Sequence, residues 1–257
     1  MDYPYFFEQL HTVSLGRNLA HFSALDSTSS YIRRMLAVCP AGFTAVADEQ
    51  TAGRGRTGKS FYSPKDDGLY FSFLITDERA VNDPLFTVKL SYALCKAVDS
   101  VTGTESVGIK WVNDLYIGEK KLAGILCEAV TAGEKKGVIV GVGINLTVDK
   151  GAVPQELRSR IGSLRDVTKK RVRRETLLAA ILNETEALYA APLSKEAFLD
   201  AYRARSVILG REINVVKEGL ELRAAALDID ENGALAVRYA TGYTEKLACG
   251  EVSIIPV

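Results

Sequence analysis

The stretch from residue 50 to residue 64, Gln-Thr-Ala-Gly-Arg-Gly-Arg-Thr-Gly-Lys-Ser-Phe-Tyr-Ser-Pro, constrains this chain more than any other. Gly53, Gly55 and Gly58 let the backbone turn sharply and lie close to a ligand. Arg54, Arg56 and Lys59 stand between and just after those glycines. Free backbone N–H groups interleaved with cations make a holder for phosphate or carboxylate oxygens. The remaining question is which anion it holds.

Residues 53–60 fit the phosphate-binding pattern G-x-x-x-x-G-K-S letter for letter. That pattern works only where a strand precedes it and a helix starts at its Lys-Ser. Phe43-Thr-Ala-Val-Ala-Asp supplies the strand. The helix is missing, because Phe61-Tyr-Ser-Pro runs into Lys65-Asp-Asp-Gly, where Pro64 and Gly68 stop helical continuation. No apolar strand ends in an Asp placed to hold a metal for such a site. The match of letters is therefore read as chance, and a nucleoside triphosphatase of that class as a remote option.

The 257 residues, 47% hydrophobic and 25% charged with zero formal net charge, suffice for one large domain, or a large and a small one. Zero net charge argues against bulk nucleic-acid binding, so the basic loop is a local device. Cys39, Cys95, Cys127 and Cys249 are scattered without a C-x-x-C pair, which suits reduced, buried thiols in the cytosol. His11 and His21 lack metal-ligand spacing, so neither a His-based triad nor a metal site built by the chain is expected, and both are read as surface or packing residues. The start, Met1-Asp-Tyr-Pro, is not a signal peptide, and no apolar run is long enough to span a bilayer.

Along the chain, the aromatic-rich segment 3–22 resists assignment. Asp26-Ser-Thr-Ser-Ser precedes the apolar-periodic run Tyr31-Ile-Arg-Arg-Met-Leu-Ala-Val, a helix N-cap signature whose hydroxyls could equally face a polar ligand. Strands are expected over 43–49 and 68–75, and a helix over 85–101 with Pro84 in its first turn. Residues 107–117 and 121–130 around Gly118-Glu-Lys read as a β-hairpin carrying Lys110, Trp111, Asn113, Asp114 and Lys121 inside an apolar pattern. Strict alternation puts Lys121, Ala123 and Ile125 on one face and Leu122 and Gly124 on the other. Residues 137–146 form another buried strand, in which Gly141 and Gly143 remove side chains and Asn145 ends the run as a polar contact. An amphipathic helix over 173–191 and another over 194–205, capped by Ser194, follow, with the basic run 169–174 as a solvated connection. Beyond residue 207 the chain breaks into short strand-like pieces (212–216, 220–224, 235–239, 251–255), which suggests a small β-barrel of about 50 residues.

Taken together, Gly53-Arg-Gly-Arg-Thr-Gly-Lys, the hairpin Lys110-Trp-Val-Asn-Asp-Leu…Lys121-Leu-Ala-Gly-Ile-Leu, the strand Gly141-Val-Gly-Ile-Asn, the Ser-Thr before the first capped helix and Gly250-Glu-Val-Ser resemble biotin protein ligase, in the family's order and over almost the whole chain. Two positions depart from the pattern: Val112 stands where the family usually has Pro, and Lys59 where it usually has Arg. Lys keeps the charge but not the bidentate geometry. The resemblance is to the short form without an N-terminal DNA-binding domain, so a repressor role is not expected.

The resemblance implies an α+β fold. A mixed β-sheet catalytic domain with flanking helices, the class II synthetase-like biotin/lipoate ligase fold, would occupy residues 1–207, and a small SH3-like β-barrel residues 208–257. It implies an ATP-dependent ligase that makes biotinyl-AMP and transfers biotin to one lysine of a biotin carboxyl carrier protein, as in acetyl-CoA carboxylase. The alternatives are a lipoate or octanoate ligase of the same fold, or a non-catalytic biotin or adenylate sensor. ATP, Mg2+ and biotin are the expected substrates and metal, with no prosthetic group. A homodimer is expected, with no nucleic acid or membrane as partner. By the family pattern Lys121, Arg56, Asp114 and Arg54 carry the chemistry. Ser27, Thr28, Ser29, Gln50, Arg54, Gly55, Arg56, Lys121, Gly124, Gly141 and Gly143 bind biotin. Arg54, Arg56, Lys59, Phe61, Asn113, Lys121 and Asn145 bind ATP or the adenylate. The glycine loop is expected to close over the intermediate and keep water from it.

Overall fold

Aromatic and aliphatic strands organise the molecule. The computed structural model describes residues 1–169, 171–217 and 219–255. Strands β1 (Leu19–Phe22), β2 (Thr44–Ala47), β3 (Gly68–Ile75), β4 (Val107–Lys110), β5 (Asp114–Ile117), β6 (Lys120–Ala132) and β7 (Lys135–Asn145) form one sheet in the order β1-β2-β3-β7-β6-β5-β4. The β1–β2 pair is parallel and the other pairs are antiparallel, so the sheet is mixed.

Each face of this sheet has its own job. Leu69, Phe71, Phe73 and Ile75 of β3 and Val138, Val140, Val142 and Ile144 of β7 bury against α4 (Phe86–Thr102) and α6 (Arg174–Ala190) in the main core. Burying one such side chain is worth about 1.5–3 kcal/mol, so this face fixes the register. On the opposite face Leu74 and Ile139 pack with Ile32 and Leu36 on and after α2 (Thr28–Arg34). Further along that face the residues turn small and polar: Ser72 on β3, then Gly141, Gly143 and Asn145 on β7. The sheet therefore has an apolar back and, at one end of its front, a shallow polar floor.

The remaining elements are α1 (Tyr3–Gln9), α3 (Glu78–Val81), α5 (Leu164–Thr168) and α7 (Lys195–Ala204, capped by the Ser194 side chain). Helix α6 packs between α1 and α4 and buries Leu177, Leu178, Ala179, Ile181 and Leu182. The first described element, α1, begins at the Asp2 cap with Pro4 in its first turn, a signal present in a segment the sequence left unassigned. Five antiparallel strands, β8 (Glu212–Lys217), β9 (Leu220–Ile229), β10 (Leu235–Tyr239), β11 (Thr244–Leu247) and β12 (Glu251–Ile254), make the small SH3-like unit in the order β11-β10-β9-β8-β12. Strand β11, Thr-Glu-Lys-Leu, had escaped the sequence reading because only Leu247 is buried.

Two features of the expected hairpin need correction. The segment 107–117 is not one strand: the chain reverses at Trp111-Val112-Asn113, so β4, β5 and β6 form a three-stranded meander. Alternation along β6 also fails. Leu115 pairs with Ala123 but Tyr116 pairs with Lys121, leaving Leu122 as an extra bulged residue. Leu122 and Ala123 are both in the core, and Lys121 is turned onto the same side as Gly124. The basic connection is not simply solvated either: Arg174 donates to Asp48 at 2.9 Å, and the Arg173 guanidinium lies 3.7 Å from the centre of the Tyr5 ring. Lys170, within that run, lies outside the described residues. His21 bonds Asp48 through Nε2 at 2.8 Å. Among the described residues no helix is long and apolar enough to cross a membrane.

Candidate functional site

Over the polar floor lies a cavity of about 340 Å³, roofed by the glycine loop. Its floor is built from groups that satisfy one another. Ser27 caps α2, taking the Ser30 N–H at 3.4 Å. Thr28 Oγ1 and Ser29 Oγ both share hydrogen bonds with Ser72 Oγ, at 2.7 and 2.8 Å. The Thr28 N–H donates to Gln50 Oε1 at 2.9 Å, and Gln50 Nε2 donates to Ser63 Oγ at 3.0 Å. Ser27, Thr28 and Ser29 are all buried, so each hydroxyl needs such a partner.

The strand glycines keep this floor low. A Cβ on Gly143 would fall 2.4 Å from Phe61 Cε1, and one on Gly141 would fall 2.5 Å from Ser29 Oγ. Gly143 faces Gly124 across β6–β7, so the Phe61 ring rests on backbone where a side chain would lift it. Lys121 Nζ lies 5.9 Å from the centre of that ring. Asn145 ends β7 with its Nδ2 turned to the Lys121 carbonyl at 3.4 Å.

The roof is a tight reversal. Gly55 N–H donates to the Lys59 carbonyl at 2.7 Å, and Phe61 N–H to the Gly53 carbonyl at 2.9 Å. A 3-10 turn, Arg56–Gly58, sits at its tip, with Thr57 at φ 51° and Gly58 at φ 77°. Lys59 is extended (φ −68°, ψ 148°), so no helix starts at Lys-Ser and the phosphate-loop geometry is absent here. Every cation of this loop is held from elsewhere in the chain. Arg54 reaches Glu128 of β6 at 2.6 Å, a carboxylate it shares with Arg33 at 2.9 Å. Arg56 Nη1 donates to Asn113 Oδ1 at 2.9 Å and Nη2 to the Gly250 carbonyl at 3.0 Å. Lys59 pairs with Glu251.

On the third side stands a cluster of charge. Asp114 accepts Lys121 Nζ at 2.8 Å and faces Lys110 Nζ at 3.8 Å. Lys110 also approaches the Tyr116 hydroxyl at 3.5 Å. Burial disfavours the charged form of Lys110 and pulls its pKa below the usual lysine value, and burial pushes the Tyr116 phenol up, with Asp114 adding to the rise. The turn before them is anchored on both sides. Trp111 Nε1 donates to the Gly233 carbonyl at 2.9 Å, and Ser91 Oγ donates to the Val112 carbonyl at 2.8 Å. Val112, at the position of the family's Pro, is part-buried against the core.

All the sequence-nominated residues, Ser27, Thr28, Ser29, Gln50, Arg54, Gly55, Arg56, Lys59, Phe61, Asn113, Asp114, Lys121, Gly124, Gly141, Gly143 and Asn145, line this one cavity. Sequence reasoning passed over Ser72, Glu128, Gly250 and Glu251, whose partners lie 43, 74, 194 and 192 residues away. It also missed Arg160, which lines the cavity and whose carbonyl takes the Lys121 N–H at 2.7 Å. The Gly-Glu of Gly250-Glu-Val-Ser was the available signal for the last pair.

A cavity with a neutral, hydroxyl-lined floor and a cationic rim suits a small organic acid joined to a phosphate. Comparison with known proteins agrees. The model of the biotin/lipoate A/B protein ligase family matches residues 22–145, and that of the biotin protein ligase C-terminal domain matches residues 208–254. The chain is 32% identical over 220 residues to the biotin–[acetyl-CoA-carboxylase] ligase of Mycobacterium tuberculosis, covering 82% of this chain and 78% of that protein. It is 28% identical over 247 residues to the bifunctional ligase/repressor BirA of Escherichia coli, covering 93% and 74%. A solved structure of biotin protein ligase from Aquifex aeolicus in complex with biotin and ATP superimposes with a TM-score of 0.76 at 28% identity, over 92% of this chain and 98% of that one. The sheet with its flanking helices, the small C-terminal β unit and these matches together make the chain a member of the biotin protein ligase family, an enzyme of the biotin–[acetyl-CoA-carboxylase] ligase type.

Proposed function

We propose that this ligase joins biotin to ATP as biotinyl-AMP with release of pyrophosphate, then passes biotin to the ε-amine of one lysine on a carboxyl carrier domain of its carboxylase. The observation that carries this reading is the meeting of Arg54, Arg56 and Lys121 with the Ser-Thr-Ser floor in a single cavity. The first step brings a carboxylate against a triphosphate, so cations must offset the repulsion and stabilise charge on the phosphoryl oxygens. Lys121 and Arg56 are assigned to the oxygens of the reacting carboxylate and α-phosphate. Arg54, paired with Glu128, is assigned to holding the loop and to the ligand's carboxylate. Ser27, Thr28, Ser29, Gln50, Gly55, Gly124, Gly141 and Gly143 are assigned to biotin. Phe61, Asn113, Asn145 and Lys59 are assigned to the nucleotide. Asp114 orients the incoming lysine.

Among the described residues no cluster of three or more His, Cys, Asp or Glu side chains is placed to hold a metal ion. Mg2+ is assigned to the triphosphate it accompanies. No protein nucleophile is required, because the carboxylate and the amine attack in turn. In this reading residues 1–207 form the biotin- and ATP-binding domain and residues 208–257 the small β domain, a division supported by the change from helix α7 to strand β8. A cytoplasmic homodimer through the outer strands of the large sheet, β1 or β4, belongs to the same proposal, and light scattering with and without ligands tests it. The function itself is tested by incubating the protein with MgATP, biotin and a carrier domain and probing for biotinylated lysine. Labelling of that lysine is expected. No product, with lipoate or octanoate accepted instead, overturns the reading.

A further inference from the structure

Along β6, Glu128 follows the cavity-lining Leu126 by two positions, on the same face as Leu126 and Gly124. It stands opposite Ile139 of β7, on the side of the sheet where α2 packs. Its side chain is only 15% exposed, yet both of its cationic neighbours meet a single oxygen. Arg54 Nη2 donates to Glu128 Oε1 at 2.6 Å, and Arg33 Nη2 lies 2.9 Å from that same atom. Glu128 Oε2 is buried and has no hydrogen-bond partner among the described residues. Two guanidinium groups on one oxygen repel each other, while the other oxygen goes without a donor. The two arginines also differ in place. Arg54 lines the cavity on the mobile-tip side, in the glycine loop. Arg33 belongs to α2, one turn after Ser29, the floor hydroxyl that bonds Ser72.

We propose that Arg33 is a positioning residue that frees Arg54 for the ligand's carboxylate, by keeping Glu128 paired when Arg54 lets go; this rests on the reading of the cavity as a biotin site. A buried carboxylate stripped of its last cation is costly, so Arg54 alone on Glu128 would be held there. With Arg33 at hand the carboxylate is never left bare. As Arg54 swings to the ligand, the Arg33 fork is free to take both Glu128 oxygens, including the one without a donor. The repulsion between the two guanidinium groups ends in the same movement.

The test is calorimetric titration of the full-length protein with biotin and with biotinamide, which carries no anion to draw Arg54 from Glu128. Arg33→Met keeps most of the side-chain stem without the charge. It is expected to weaken biotin binding about tenfold, since Arg54 must then leave Glu128 uncompensated, and to change biotinamide binding by less than about twofold. Arg33→Lys, which restores a cation, is expected to recover biotin binding to within about threefold of the unmodified protein. In a Glu128→Gln background no carboxylate needs a second cation, so adding Arg33→Met is expected to shift biotin affinity by less than about twofold. A tenfold loss that persists in that background would make Arg33 an ordinary contributor to the field at the site and overturn the proposal. Equal losses for biotin and biotinamide would overturn it too, by making Arg33 a support of the floor. So would unchanged biotin binding by Arg33→Met. If the unmodified protein binds neither ligand, the biotin reading itself falls, and this inference with it, before any variant is compared.

Discussion

The floor and the roof of the cavity are built on opposite principles. The floor is neutral: Thr28, Ser29 and Ser72 bond one another, Gly141 and Gly143 expose backbone, and the register of β3, β7 and β6 fixes their spacing. That register is enforced by the fully buried Leu69, Phe71 and Val140 on the other side of the sheet. The roof is charged and largely open, with Arg54 42% and Lys59 61% exposed, and its position depends on side-chain tethers to Glu128, Asn113, Gly250 and Glu251. Ion pairs between such exposed groups contribute little in water. A ligand with phosphate oxygens can therefore compete for the roof cations, while nothing comparable competes for the floor. The contrast separates recognition of the acid, by a preformed surface, from recognition of the phosphate, by groups that exchange one partner for another.

The sharpest way to break this contrast is to spoil the floor. Gly143→Val puts branched carbon into the space of the Phe61 ring, and a shift of the bound ligand by an ångström is enough to reduce adenylate formation by about a hundredfold or more. Steady-state kinetics is expected to show loss of both biotin and ATP use, whereas a preserved KM for biotin would mean the floor does not seat it. Removing a roof cation is expected to act more narrowly. Arg56→Ala, losing charge-assisted bonds worth about 2 kcal/mol, is expected to weaken retention of biotinyl-AMP roughly thirtyfold and to leak it to unrelated lysines, read by non-specific labelling of a bystander protein. Tight retention would assign that role elsewhere. A tether should matter less again: Glu251→Gln is expected to change ATP affinity by only about two- to fivefold, and to make it less sensitive to salt. The smallest effect lies outside the cavity, at the Asp26–Arg34 pair at the start of α2. The Arg34 guanidinium holds the Asp26 carboxyl down at about 2 from its ordinary 3.8. Its small stabilisation is complete above pH 3.8 and is lost as pH falls through about 2, so Asp26→Asn should lower the melting midpoint slightly at neutral pH and not at all at the acid end.

The two regions were also unequally legible in the sequence. The glycine loop, the Ser-Thr cap, Lys121 and the strand glycines all carry local signals, because each depends on what a few neighbouring residues can do with their own backbone. What escaped were the partners. Glu128 looks like an ordinary charge on a strand, and Gly250 with Glu251 gains a role only when β12 lies beside β8. The bulge at Leu122 was hidden for another reason: Lys121 and Gly124 share the cavity only because one extra residue interrupts the alternation, and nothing in the apolar run marks where. The split of the hairpin at residues 111–113 depends on anchors from Ser91 and Gly233, 21 and 122 residues away along the chain.

The account stands most directly on Lys121, where floor and roof meet: beside Gly124, next to the Phe61 ring and bonded to Asp114. Single-turnover pyrophosphate release on mixing enzyme with biotin and MgATP, compared between the unmodified protein and Lys121→Ala, is the measurement to make, with biotin binding followed in parallel without nucleotide. The account predicts release slowed by about a hundredfold with biotin still bound by the intact floor. A normal rate of pyrophosphate release from Lys121→Ala would contradict it.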